Sequence, residues 1–261
     1  MGVIIAIVNQ KGGVAKTTTA INTAAAMGER GKKVLLVDLD PQGNATTGLG
    51  VGKRDLKLTT YDVVMGTARP ADVIIPTRFK NLSLMPATGL LAEAEIRLIS
   101  FENKTLQLKK ALLQVKNDYD VILIDCLPSL GVLALNGLGA CDRIIIPMQC
   151  EPYSLEGVAE LLGTVKRVKA STNRGLQIMG IVFTMIDKRL TVNREVMESI
   201  RGKFPPESIF KTEIPRNVRI SEAPSHGEPI TYYDKNSKGA EAYRKLAGEI
   251  LRKCKFMQEM L

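Results

Sequence analysis

Short, nearly continuous apolar runs recur along the chain, and longer stretches with helical spacing separate them. The runs Val3–Val8, Val34–Asp38, Leu82–Pro86, Val121–Asp125, Ile144–Met148 and Ile178–Met185 are rich in Val, Ile and Leu, with no polar alternation. That pattern predicts strands of a parallel sheet buried on both faces. Between them, Thr17–Arg30, Phe101–Lys116, Ser154–Val168 and Val192–Lys203 place helix formers at helical spacing, and Gly31 follows the first where a helix must stop. Alternation of this kind predicts an α/β fold: one doubly wound, mostly parallel sheet with helices on both faces. Without an internal repeat, a low-complexity tract or a dividing linker, residues 1–261 are expected to form one domain.

Composition refines this picture. The chain is 45% hydrophobic but only 5% aromatic, with no tryptophan, so the core must consist mainly of aliphatic side chains and Met. The apolar runs fall short of the ~20 residues that span a bilayer, and the apolar N-terminus lacks the basic lead and cleavage site of a signal peptide, so a cytoplasmic location is expected. Cys126, Cys141, Cys150 and Cys254 show no paired spacing and stand near no histidine, which predicts reduced thiols and no zinc site. The lone His226 reads as a turn residue. Net charge is +9 and uneven: residues 160–261 hold 19 Lys and Arg against 12 Asp and Glu. A basic second half suits a polyanion, either nucleic acid or an anionic membrane surface, and equally serves solubility.

The most informative stretch is Asn9-Gln10-Lys11-Gly12-Gly13-Val14-Ala15-Lys16-Thr17-Thr18, which follows the first strand and opens the first helix. Backbone amides at a helix N-terminus favour bound anions, and glycines let the chain curl close to phosphate oxygens. Lys16 can reach the β- and γ-phosphates of a nucleotide, and the Thr17 hydroxyl can ligate Mg2+. Against the ordinary pattern GxxxxGK[ST], Gln10 and Ala15 stand where glycines are usual. If the backbone at Ala15 needs a positive φ, its Cβ carries a strain of roughly 1 kcal/mol or more.

Two acidic strand ends accompany the loop. Asp38 and Asp40 close the run Val34–Asp38 and its turn, where ligands sit in open α/β sheets. The four apolar residues Val121–Ile124 lead into Asp125, a pattern that places a carboxylate in a Mg2+ shell.

The form Lys-Gly-Gly-x-x-Lys-Thr resembles the deviant Walker A motif of the ParA/MinD ATPases. Further matching segments are Asp38–Gly50, Met148–Gly157, Phe183–Arg189, Ile214–Gly227, Tyr233-Asp234 and Ser237–Ala240. Together they resemble the chromosomal ParA (Soj) branch. Departures are Ala15, where relatives have glycine, and Leu127, where the family usually has proline. The resemblance implies an ATPase using ATP and Mg2+ in chromosome or plasmid partitioning. It implies a homodimer with two nucleotides sandwiched between subunits, and a second lysine, Lys11, that crosses to the partner's nucleotide. The loop residues Lys11, Gly12, Gly13, Val14, Ala15, Lys16, Thr17 and Thr18 would bind the nucleotide. Asp40 would position the attacking water, and Thr17, Asp125 and Asp38 would serve the metal, with a switch role the alternative for Asp38. Thr184, Met185, Pro215 and Asn217 would line the adenine and ribose pocket. Arg189, Arg216 and Arg219 would contact DNA without sequence preference. A ParB/Spo0J-like protein would stimulate hydrolysis, and the protein would sit on the nucleoid.

Two other readings share the loop. A MinD-like membrane-cycling ATPase would use a basic amphipathic C-terminal helix, and Ala247, Ile250, Leu251, Cys254, Met257 and Leu261 repeat at helical spacing beside Arg252, Lys253 and Lys255. A core-packed last helix produces the same stripe. The third reading is an ATP-dependent DNA-binding switch with little hydrolysis, consistent with a methyl at position 15.

Overall fold

The computed structural model of the protein describes residues 2–151 and 154–258. Seven strands form one sheet: β1 (Val3–Ile7), β2 (Val34–Leu39), β3 (Ile75–Pro76), β4 (Leu82–Met85), β5 (Val121–Cys126), β6 (Arg143–Gln149) and β7 (Gln177–Thr184). The spatial order is β3-β4-β2-β5-β1-β6-β7, and every pairing is parallel except β3 with β4. The doubly wound fold class read from the apolar runs is the one observed.

Both faces of the sheet are buried, which explains why the runs lack polar alternation. Ile4 and Ala6, Leu35 and Val37, and Ile122 and Ile124 point into one core. Their neighbours Ile5 and Ile7, Val34 and Leu36, and Val121 and Leu123 point into a second core on the opposite face. The second core also takes the helix α1 (Lys16–Glu29) and the last helix, Lys238–Gln258, which pack together. Gly31, with φ +80°, ends α1 in the left-handed conformation expected of it.

Tyr243, Leu246, Ala247, Ile250 and Cys254 of the last helix are buried in that core. The apolar stripe at this end of the chain is therefore a packing face as far as Cys254. The Met257 side chain and Leu261 lie outside the described residues, as do Pro152 and Tyr153. No described helix is long and apolar enough to cross a membrane.

Two local features depart from the sequence reading. Phe101–Lys116 is not one helix: a 3-10 turn at Leu98–Ser100 precedes a helix confined to Gln107–Leu112. The buried Asn136 explains the break. Its amide donates to the Lys104 carbonyl at 2.7 Å and its oxygen accepts from the Leu108 amide at 3.1 Å, so the chain is held out of helical register until Gln107. The two-residue β3 had no sequence signal. It runs antiparallel at the sheet margin, where Pro76 needs no ladder partner. At the opposite margin β7 is covered by the segment 209–214, through Phe210 N to Ile181 O and Ile214 N to Phe183 O.

Candidate nucleotide site

Strand register assembles the site. In the β2–β5 pairing Asp38 lies opposite Asp125, and in the β1–β5 pairing Ile7 lies opposite the same Asp125. The loop leaving β1 therefore sits directly over the two acids, at the C-terminal edge of the central strands.

The loop is pinned from both sides. Asn9 donates to the Pro147 carbonyl of β6 at 2.7 Å and accepts from the Lys11 amide at 3.0 Å. The fully buried Thr184, last residue of β7, donates to the Val14 carbonyl at 3.1 Å. Gly13 has φ +75°, and a Cβ at Gly12 or Gly13 would meet nothing within 4 Å. The space that side chains would fill is thus left open beside the loop amides.

Ala15 has φ 65° and ψ 35°, the left-handed region, at the N-cap of α1. The strain expected from the sequence is present. Ala15→Gly relieves a cost of about 1–2 kcal/mol and gives back about 0.4–1 kcal/mol through the freer unfolded chain. The expected result is a net stabilisation of roughly 0.5–1 kcal/mol, seen as a higher urea midpoint at unchanged m-value. An unchanged or lower midpoint would show that the loop holds no such strain.

Lys16 is nearly buried and its ammonium donates to the Lys11 carbonyl at 3.0 Å. Burial pulls its pKa down, while the charges of Asp125 and Asp40 pull it up. Asp125 is fully buried, and neither carboxylate oxygen has a hydrogen-bond partner among the described residues. Burial, and then the Asp38 charge beside it, push its pKa well above the usual carboxylate range, with the nearby Thr17 hydroxyl and Lys16 opposing. An orphaned buried carboxylate is costly without a counter-charge, so these residues fit a hard divalent cation. Among the described residues no group of three or more His, Cys, Asp or Glu side chains is arranged to hold a metal alone. That suits Mg2+, which takes one or two protein ligands and fills its shell with phosphate and water.

Asp38 is engaged differently. Its Oδ2 accepts from the amide and hydroxyl of Thr46 at 2.8 and 2.7 Å, and its Oδ1 from the Asp40 amide at 3.3 Å. Burial raises its pKa to about 6. These contacts tie Asp38 to the turn that carries Asp40. Asp40 itself accepts from the Gln42 amide at 2.8 Å.

The second lysine, Lys11, extends along its own subunit and pairs with Glu151 at 2.7 Å. Neither Asn9 nor Glu151 stood out in the sequence as a site residue. Asn9 flanks the loop and offered a weak signal, whereas nothing local marks Glu151, 140 residues away.

The remaining sequence candidates form a neighbouring group. Met185 has φ 53°, and its sulfur accepts from the Gln149 amide at 2.9 Å. The strand-like pairing of Ile186 with Pro215 brings Met185 and the 214–217 segment side by side. The Thr184 hydroxyl is spent on the loop, and Asn217 Oδ1 caps the short helix Val218–Glu222 by accepting from the Arg219 amide at 2.8 Å.

Arg189, Arg216 and Arg219 are all exposed in these two adjoining segments. Arg189 forks onto both oxygens of Asp187 at 2.9 and 2.6 Å, holding that carboxyl down at about 2, and Arg219 pairs with Glu222 at 3.0 Å. The four cysteines are free and buried, and burial pushes Cys141 and Cys150 up to about 12, so these two offer no ready nucleophile.

Comparison with known proteins shows what the sequence and the fold are similar to. The profile of a family described as AAA domain matches residues 2–178. The sporulation initiation inhibitor protein Soj of Bacillus subtilis is 51% identical over 250 residues, covering 96% of this chain and 98% of that protein. The chromosome-partitioning ATPase Soj of Treponema pallidum is 49% identical, covering 96% and 98%. Among solved structures, the cobyrinic acid a,c-diamide synthase of Mycobacterium smegmatis, crystallised with ADP and magnesium, superposes with a TM-score of 0.86 at 38% identity, covering 98% and 96%.

Proposed function

The chain belongs to the ParA/Soj family of partitioning ATPases, uses Mg-ATP, and on that premise we propose that it is a nucleotide-gated DNA-binding switch. The observation that carries this reading is the pinned curl of residues 11–17, open beside Gly12 and Gly13, over the orphaned Asp125 and near a segment pair bearing three exposed arginines.

The loop amides, backed by the dipole of α1, hold the phosphates, and Lys16 places its ammonium on the β- and γ-oxygens. Thr17 and Asp125 would hold Mg2+, which when bound would supply neutralisation of the charge that develops in phosphoryl transfer. Asp40 orients a water in line with the γ-phosphorus. Attack by that water forms a new bond to the γ-phosphorus as the bond to the bridging oxygen breaks, giving ADP and inorganic phosphate, and the water's proton leaves to phosphate or solvent. This is catalysis by positioning and electrostatics.

Two subunits close face to face around two nucleotides. Lys11 leaves Glu151 and reaches the partner's nucleotide, where a second cation stabilises developing charge much as an arginine finger does. An exposed ion pair such as Lys11–Glu151 is worth ~1 kcal/mol or less, a weak tether that permits the exchange. The paired subunits present Arg189, Arg216 and Arg219 to the phosphate backbone of DNA on the nucleoid, and hydrolysis, stimulated by a ParB-like protein, releases them.

The test is DNA retardation without nucleotide, with ADP and with ATP across a salt series. Three arginines from each of two subunits give about six phosphate contacts, so the expected slope of log K against log salt is about −5 and appears only with ATP. Equal retardation without nucleotide, or binding insensitive to salt, would overturn the switch.

A further inference from the structure

Thr46, to which no role has yet been given, holds the turn that carries Asp40. Short helix α2 (Asn44–Gly48) follows that turn, and its N-cap, Gly43, has φ +57° and no side chain with which to cap. The cap comes instead from Asp38 on β2, whose Oδ2 receives the Thr46 amide and the Thr46 hydroxyl. The same hydroxyl accepts from the Ala87 amide, just beyond β4, at 2.9 Å. Thr46 is fully buried and uses its hydroxyl both as donor and as acceptor.

The consequence is a closed frame around Asp40. Asp38 Oδ1 accepts the Asp40 amide, the Asp40 carbonyl accepts the Gly43 amide at 2.8 Å, and Thr46 ties the far end of the turn back to Asp38. A Cβ on Gly43 would stand 2.7 Å from the Ala87 carbonyl, so the turn is also packed against the β4 end that Thr46 grips. Lys53 completes the enclosure by donating to the Gln42 carbonyl. We infer that Thr46 is a positioning residue for hydrolysis: it fixes where Asp40 presents its carboxylate, while leaving the phosphate loop untouched.

The inference rests on the proposed role of Asp40, and the experiment separates the two. Wild type, Thr46→Val, Thr46→Ser and Asp40→Ala are compared for ATP affinity and for the rate of single-turnover ATP hydrolysis, at a temperature where each is folded. Valine keeps the shape of the side chain and removes both of its hydroxyl bonds. The expected result for Thr46→Val is a hydrolysis rate at least about tenfold slower with ATP affinity within about twofold of wild type, since a misplaced group costs rate and not ground-state binding. Thr46→Ser, which keeps the hydroxyl, is expected to recover the rate to within about threefold of wild type.

A wild-type rate in Thr46→Val, a parallel loss of affinity and rate, or a serine variant as slow as the valine one overturns the inference. Should the valine variant fail to fold, Thr46→Cys replaces it. A cysteine variant slower than the serine one at equal affinity supports the assignment, and equal rates overturn it. If Asp40→Ala hydrolyses ATP like wild type, the role of Asp40 falls and this inference with it. If Asp40→Ala is inactive while Thr46→Val is normal, only the inference about Thr46 falls.

Discussion

Lys16→Ala is expected to remove measurable Mg-ATP binding, a loss of at least about a hundredfold, or roughly 2.7 kcal/mol. Two effects add. The phosphates lose a charge-assisted partner worth about 1.5–3 kcal/mol. Asp125 and Asp40 also lose the one cation that offsets them, so the empty site becomes more negative where a nucleotide must bring further negative charge. Calorimetric titration with Mg-ATP measures the loss, and circular dichroism checks the fold. Micromolar affinity in a folded variant would refute the assignment of this loop as the phosphate cradle.

Asp40→Ala is expected to separate binding from chemistry. A group that orients or deprotonates the attacking water contributes about 10²–10⁴-fold in rate. The substitution should therefore slow hydrolysis by about two orders of magnitude or more with ATP affinity nearly unchanged. If the DNA switch operates as proposed, the variant stays on DNA with ATP and is not released by turnover. Gel retardation chased with ADP reads this directly. Unchanged hydrolysis would strip Asp40 of its role.

The strands were legible because burial on both faces leaves a one-letter signature, runs of Val, Ile and Leu such as Val34–Val37 and Val121–Ile124. The phosphate loop was legible because its chemistry is local: amides, glycines and two lysines within a few residues. Even the strain at Ala15 could be anticipated, since glycine is usual there for a backbone reason and the φ of 65° agrees with it.

What escaped was whatever depends on distant partners. Asn136 breaks the expected helix at Phe101–Lys116 from another element, and no propensity scale reports that. Asp38 reads in sequence as a metal ligand or a switch element, and its bonds to Thr46 and the Asp40 amide could not be read there. Thr184 is one of the nucleobase-pocket candidates in sequence, and its hydroxyl bonds to the phosphate loop 170 residues away, a contact no local pattern announces. The C-terminal stripe was ambiguous by nature, because a core-facing helix and a surface-binding one share a period, and only the packing of Tyr243 and Leu246 against α1 distinguishes them.

The two margins of the sheet bear on how copies of this protein can meet. Pro76 lacks the amide a further strand would need, and the chain's own 209–214 segment takes the Ile181 and Phe183 carbonyls of β7. Both features hinder lateral addition of a further strand. A strand from a second copy could add at either margin only by displacing one of these features.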